Sequence, residues 1–221
     1  MPEPSRRIRA LLGGEEDGWA VFLKARRMMA EGIPVLELTI GEHDVGTDAA
    51  ILDEMHRAAR AGHTGYAAVP GIPKLRARIA ERMTATSGVA MSVDNVLVTP
   101  GGQAGLFAAH HAALDEGDAG LLIDPFYATY PGTIRAVGGR PVPVAARPEN
   151  GFQPDPADIA RAAVETGAKS LLINSPNNPT GAVYGPDTLD GIAEVATAHD
   201  LWVISDEVYD SQVWEGAHLP F

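Results

Sequence analysis

Short apolar strands alternate with amphipathic helices from about residue 96 to residue 206, and this rhythm constrains the fold more than any other feature. Strands are predicted at residues 96–99, 120–123, 141–145, 170–174 and 201–205, with helices between them at 101–114, 130–137, 155–166 and 186–199. Such alternation builds right-handed βαβ units, and strands that are apolar throughout are typical of a buried parallel sheet. The sequence therefore predicts a three-layer α/β fold, a mostly parallel sheet with helices on both faces.

The region before residue 96 is less regular. Its predicted elements are a loose arm at 1–18, a helix at 19–31, a strand at 35–40, a helix at 47–61, a loop at 62–70 and a helix at 74–86. Thr47 is the predicted N-cap of the second helix. Further along, two prolines in the predicted strand 141–145 lack the N–H that a central strand donates, so we expect this strand at a sheet edge.

Composition excludes several classes of function. The 221 residues carry 17 basic and 29 acidic side chains, a net charge of −12, whereas a nucleic-acid partner requires a basic face. The chain has no cysteine, which excludes disulfides and thiolate chemistry. No apolar run approaches the roughly 18 residues of a membrane span, and the N-terminus lacks the apolar core of a secretory signal. We expect a soluble, cytoplasmic protein without a membrane partner.

The seven histidines show no metal-ligand spacing, and we predict no metal site. His110 and His111 are adjacent on a predicted helix, so their side chains point in directions about 100° apart. The chain also contains neither a G-x-S-x-G nucleophile motif nor a Walker A string.

Ligands of open α/β sheets bind beyond the carboxyl ends of the strands. Four segments follow predicted strands and are expected along one edge, namely 99–103 (TPGGQ), 124–127 (DPFY), 174–181 (NSPNNPTG) and 206–209 (DEVY). In the first, Gly101 and Gly102 let the backbone approach an anion at the start of a helix, although a plain turn has the same composition. In the second, Tyr127 can stack on a planar ring, as can Phe126 and Tyr130, although stacked aromatics more often belong to a core.

The last two segments offer an amide, a carboxylate and a phenol. Prolines stiffen the loop around Asn178, which can aim its amide into a site or simply form a turn. Asp206 follows a buried strand, where a carboxylate needs a cationic or hydrogen-bonding partner, although capping of the next turn is the simpler interpretation. Tyr209 can reach the same ligand. A phosphorylated, hydroxylated ring with a basic nitrogen satisfies all four segments, and pyridoxal 5′-phosphate (PLP) is such a molecule.

With these motifs the chain resembles the class I/II aminotransferases, which are fold-type-I PLP-dependent enzymes. The residues that carry the resemblance occur in the family's order between about 35 and 210, and they are Gly41-Glu42, Tyr66 with Gly71 and Leu75-Arg76, TPGGQ, DPFYATYPG, NSPNNPTG and SDEVY. The chain departs from the family at His43, where a proline is frequent. The motifs do not separate the family's aminotransferases from its lyases and synthases.

The resemblance implies roles for the ring-contacting residues. Asp206 would pair with the pyridine nitrogen of PLP. Asn178 and Tyr209 would bond the ring hydroxyl, and Tyr127 would stack on the ring.

The resemblance also implies contacts to the phosphate and the substrate. The phosphate would meet Gly101, Gly102 and Gln103. Tyr66 would reach the phosphate of a neighbouring subunit, which implies a homodimer with shared sites. Gly41 would lie beside the substrate carboxylate, and Asn178 would also contact the substrate.

By the same resemblance, residues 1–45 form an N-terminal arm with part of a small domain, and residues 46–221 form the PLP-binding large domain. Chemistry of PLP on amino acids uses a lysine that holds the cofactor as a Schiff base. The chain has only Lys24, Lys74 and Lys169, and none stands in the family's Ser-x-x-Lys segment. We therefore assign no catalytic residue and expect the chain to be a truncated part of a longer parent, inactive by itself.

The predicted function of that parent is PLP-dependent transfer of an amino group between an amino acid and a 2-oxo acid, in amino acid metabolism or biosynthesis. A PLP-dependent C–S lyase or decarboxylating synthase of the same fold is one alternative. A non-catalytic fragment that binds PLP without a covalent link is another. A nucleotide-binding domain ranks last, because no G-x-G-x-x-G follows the first predicted strand.

Overall fold

The computed structural model describes residues 2–11, 19–38, 41 and 44–221. The helices are α1 (Arg6–Arg9), α2 (Trp19–Ala30), α3 (Ala49–Arg60), α4 (Pro73–Ser87), α5 (Gly102–Ala113), α6 (Tyr130–Ala136), α7 (Pro156–Thr166) and α8 (Pro186–His199). The strands are β1 (Ala119–Asp124), β2 (Arg140–Ala145), β3 (Ser170–Asn174) and β4 (Trp202–Asp206). Each of these strands and the helices between them lie within two residues of a predicted element.

The four strands form one sheet in the order β2-β1-β3-β4, and every neighbouring pair is parallel. The proline-containing strand β2 lies at an edge, as its missing backbone donors predict. From β1 the chain first moves outward to β2 and then crosses to the other side of β1 to form β3. The strand order therefore reverses between β1 and β3, which is where open α/β sheets bind ligands.

Alternate residues of the central strands pack against opposite helical layers. Leu121 and Leu171 belong to a core cluster with side chains of α7 and α8. Leu122 and Leu172 belong to a second cluster with side chains of α5 and α6. All four leucines are fully buried, and each such burial contributes roughly 1.5–3 kcal/mol. The predicted three-layer α/β architecture is thereby confirmed.

The predicted strand at 35–40 is not found where it can be checked. Residues 35–38 are not in a strand, and residues 39–40 lie outside the described residues. Leu36 and Leu38 are each 96% exposed. An apolar run becomes a strand only where a neighbouring strand takes up its backbone hydrogen bonds, and in the described part of the chain none does so here.

The predicted strand at 96–99 is also wrong. This segment stays outside the sheet and runs beside the loop before α4, where the Val98 N–H donates to the Pro70 carbonyl at 3.0 Å. The approach is close, because a Cβ on Gly71 would lie 2.6 Å from Val98 Cγ2. The backbone of Gly71 has a φ of 106°, a left-handed conformation that glycine tolerates best.

Two local predictions near the N-terminus need correction. The N-cap of α3 is Asp48 rather than Thr47, because the Asp48 carboxylate accepts the Ala50 N–H at 2.8 Å. The predicted loose arm contains the single turn α1, which Ser5 caps by accepting the Ile8 N–H. Residues 12–18 of that arm lie outside the described residues. Among the described residues, no helix has the length and apolarity that crossing a bilayer demands.

Adjacent histidines on α5 have opposite environments, as their angular separation on a helix predicts. His110 is fully buried, and neither ring nitrogen has a hydrogen-bond partner among the described residues. His111 is exposed and stacks on Phe107. Burial disfavours the imidazolium and lowers the pKa of His110 to about 4, from an ordinary value of 6.5.

We predict that His110 makes the chain acid-sensitive between pH 6.5 and 4. In this window the unfolded chain binds a proton at His110 that the folded chain does not, so stability falls as the pH falls, by up to about 3 kcal/mol. His110→Leu should flatten this loss, whereas His111→Gln should leave it as in the wild type. Urea unfolding at several pH values measures the effect. An unchanged acid loss in His110→Leu would contradict the assignment.

Candidate functional site

A cavity of about 1050 Å³ opens where β3 and β4 end, at the carboxyl edge of the sheet. Its walls come from the start of α5, the segment between β1 and α6, the loop after β3 and the turn after β4. The structure therefore brings together the four segments that the sequence placed along one edge. The lining contains seven of the predicted site residues, namely Gly41, Gly102, Gln103, Tyr127, Asn178, Asp206 and Tyr209.

Two predicted site residues lie outside this lining. Gly101 is the N-cap of α5 and directly precedes the lining residue Gly102, with a left-handed φ of 86°. Tyr66 is fully exposed and is not part of the cavity wall. Its predicted contact with a neighbouring subunit stays a prediction.

The loop after β3 presents the side-chain amide of Asn178 to the cavity beside a phenol. Asn178 Nδ2 donates to the Tyr209 hydroxyl at 3.3 Å, although the two residues are 31 positions apart. The peptide bonds Ser175–Pro176 and Asn178–Pro179 in this loop are both cis. The hydrogen bond between Asn178 and Tyr209 shows that the amide and the phenol are adjacent, so both could contact the same ligand group.

Asn174 links this loop to Asp206, a role that the sequence analysis did not assign. Asn174 ends β3 directly opposite Asp206 in the β3–β4 register and is only 2% exposed. Its Nδ2 donates to the Asp206 carbonyl at 2.8 Å, and its Oδ1 accepts the Asn178 N–H at 2.8 Å. The available signal was its position at a strand end, as the first residue of NSPNNPTG.

The Asp206 carboxylate is held by two uncharged donors. The Tyr130 hydroxyl donates to Oδ2 at 2.8 Å, and the Val208 N–H donates to Oδ1 at 3.1 Å. The sequence suggested only stacking or core packing for Tyr130. Burial, reinforced by the charge of Asp206, raises the pKa of Tyr130 far above its usual range, so this phenol stays protonated and remains a donor.

The charge of the cavity wall is negative. Asp206 and Glu215 line it, and the described lining contains no lysine, arginine or histidine. No three His, Asp or Glu side chains among the described residues converge as ligands for a metal ion. A partly buried carboxylate whose hydrogen-bond donors are all neutral attracts a cationic atom of a ligand.

The start of α5, in the same cavity wall, suits an anion. The 12-residue helix α5 begins at Gly102, and its N-cap Gly101 has no side chain that could occupy the free N–H groups of the first turn. Gln103 uses its Oε1 to accept the Thr129 hydroxyl at 2.9 Å, which ties the helix start to the segment before α6. Unoccupied N–H groups and the positive end of the helix dipole favour a phosphate or carboxylate.

The sequence matches the family model "Aminotransferase class I and II" over residues 33–220. The parallel α/β fold agrees with that match, and the chain belongs to the class I and II aminotransferase family.

Individual relatives support the same assignment. A probable aspartate/prephenate aminotransferase of Thermus aquaticus is 40% identical over 200 residues, which cover 90% of this chain and 52% of the relative. An arginine–pyruvate transaminase of Pseudomonas aeruginosa is 37% identical, over 95% of this chain and 53% of the relative. The chain thus spans about half the length of the curated relatives it matches.

Solved structures agree with the sequence relatives. An aspartate aminotransferase from Thermus thermophilus, determined with maleate, superposes with a TM-score of 0.92 at 38% identity and covers all of this chain and 57% of that one. An alanine aminotransferase from Pyrococcus furiosus gives a TM-score of 0.91 at 34% identity, over 99% of this chain and 55% of that one.

We predict that Asn174 is essential for holding the two halves of the site together. Asn174→Ala removes the buried acceptor of the Asn178 N–H and should cost about 2 kcal/mol of unfolding free energy. Asn150→Ala is the matched control, because Asn150 is exposed and its side chain donates one local hydrogen bond, to the Gln153 carbonyl. It should cost less than about 0.5 kcal/mol. Urea unfolding measures the unfolding free energy of both variants. An equal loss in the two would contradict the structural role of Asn174.

Proposed function

We propose that this chain forms the PLP-binding part of an aminotransferase that moves an amino group between an amino acid and a 2-oxo acid. The observation that carries the proposal is that Asp206, Asn178 and Tyr209 line one cavity together with the start of α5, where no side chain caps the first-turn N–H groups. Membership of the class I and II aminotransferase family supports it.

Two features of the cavity wall fit the two charges of PLP. The pyridine nitrogen, when protonated, is a cation, and the Asp206 carboxylate has only neutral hydrogen-bond donors among the described residues. The phosphate is an anion. It would bind at the start of α5, at Gly101, Gly102 and Gln103, where no side chain caps the N–H groups of the first turn.

The remaining contacts fit the ring itself. Asn178 and Tyr209 are within hydrogen-bond distance of each other and would both bond the ring hydroxyl. Tyr127 is 38% exposed, lines the cavity and makes a T-shaped contact with Tyr130, with ring centroids 5.8 Å apart. Its exposed part would stack on the ring.

Bound PLP supplies an electron-withdrawing ring that stabilises negative charge at the substrate Cα. The residues of this chain bind and orient that ring, and Asp206 keeps a proton on its nitrogen. Gly41 and Asn178 would contact the substrate. Residues 46–221 would form the PLP-binding domain, with residues 1–45 as an arm and part of a small domain.

The proposed assembly is a cytoplasmic homodimer with shared sites. The exposed side chain of Tyr66, which lies outside the cavity of its own chain, supports a contact with the phosphate of a neighbouring subunit.

A second candidate function is non-covalent binding of PLP without catalysis. Lys24, Lys74 and Lys169 are all exposed, and none belongs to the described cavity lining. Borohydride treatment of the PLP complex of the 221-residue chain tests the non-covalent binding. A PLP adduct on one of these lysines would contradict it, whereas bound PLP without an adduct agrees with it. Amino transfer by a longer protein that contains this chain separates catalysis from binding alone, and release of thiol or pyruvate in place of amino transfer would indicate a lyase.

We predict that the chain binds PLP and that Asp206→Asn weakens binding about tenfold or more, because a charged hydrogen bond is lost. Asp210→Asn is the matched control. It removes the same charge four residues away, at a side chain that pairs with Arg82 outside the cavity lining. Absorbance titration with PLP measures both variants. Equal affinity of the two variants would argue against the proposed site.

A further inference from the structure

The contact between Tyr130 and Asp206 joins two parts of the chain that are 76 residues apart. Tyr130 begins α6, and Asp206 ends β4. The Tyr130 side chain is 3% exposed, yet its hydroxyl reaches a carboxylate that lines the cavity. The phenol is therefore anchored in the core while its polar end faces the site.

The core fixes the direction of this hydroxyl. Tyr130 belongs to the buried cluster that contains Leu106, Ile134 and Leu172. The ring also meets Tyr127 edge-on, at an angle of 78°. A side chain this deeply buried loses little further rotamer freedom when a ligand binds, so its donor is already in place.

The two donors to Asp206 define the orientation of the carboxylate. Oδ2 accepts the Tyr130 hydroxyl, and Oδ1 accepts the Val208 N–H. The backbone carbonyl of Asp206 is held separately by Asn174. Tyr130 is thus the one side chain among the described residues that hydrogen-bonds the carboxylate itself.

We propose that Tyr130 is a positioning residue that aims the Asp206 carboxylate at a cationic ring nitrogen in the cavity. This rests on the proposed function, since it takes PLP as the ligand. Tyr130 acts through Asp206 and does not itself react. Both donors to the carboxylate are neutral, so its negative charge is left for the ring nitrogen. Tyr209 and Tyr184 are the other titratable groups near Tyr130.

The alternative is that Tyr130 only fills the core. Tyr130→Phe distinguishes the two roles, because it keeps the ring and removes only the hydroxyl. Tyr184→Phe is the matched control. Tyr184 is equally buried, at 2% exposed, but belongs to the opposite core cluster and makes no hydrogen bond to Asp206.

The experiment measures the affinity of the 221-residue chain for PLP and for the carbocyclic analogue that lacks the ring nitrogen. Tyr130→Phe should weaken PLP binding about tenfold and change binding of the analogue less than about threefold, because only PLP uses the oriented carboxylate. Tyr184→Phe should match the wild type with both ligands. In the Asp206→Asn background, Tyr130→Phe should have no further effect on PLP affinity.

An equal effect of Tyr130→Phe on both ligands, or no effect on either, overturns the proposal. A second measurement, independent of PLP, follows the Tyr130 hydroxyl proton by NMR, which should exchange slowly in the wild type and rapidly in Asp206→Asn. A rapidly exchanging proton in the wild type also overturns the proposal. If the wild type binds no PLP while this proton is protected, the proposed function fails and the Tyr130–Asp206 pairing stands.

Discussion

The register between β3 and β4 sets Asn174 directly opposite Asp206, and the geometry of the site depends on this pairing. Parallel strands end at the same edge, so the residues that follow them must share one cavity. Asn174 then uses both ends of its amide, one toward the Asp206 carbonyl and one toward the Asn178 N–H. A slip of one residue would turn these side chains to the opposite face of the sheet.

The cavity wall combines two electrostatic features. One is a carboxylate supported by a phenol and a backbone N–H, and the other is the start of α5, where no side chain caps the first-turn N–H groups. In a partly buried site both features act through a lower dielectric than water, which strengthens their attraction for opposite charges. Under the proposed function, a ligand with a cationic ring nitrogen and a phosphate would use both features.

The sequence alone predicted the elements that depend on local patterns of apolar and turn residues. Strands β1 to β4, the edge position of β2 and the segments that follow β1, β3 and β4 all follow from apolar runs, prolines and turn residues. Segment 99–103 contributes to the cavity although no strand precedes it. The strands predicted at 35–40 and 96–99 failed because an apolar run does not show whether a partner strand exists. The Tyr130 hydroxyl and the Asn174 amide were missed because their partners are set by tertiary packing across 76 and 32 residues.

Recognition of a cofactor and chemistry on it are separable in such a fold. Under the proposed function, the described residues would supply the groups that orient the cofactor. The core cluster that contains Tyr130 holds its hydroxyl in place without a ligand. Pre-formed donors reduce the ordering cost of binding, so affinity does not require a covalent link. The three lysines lie on exposed positions away from the cavity lining. Proton transfer at a substrate carbon would therefore need an amine other than these three lysines. Orientation of the cofactor ring would not need one.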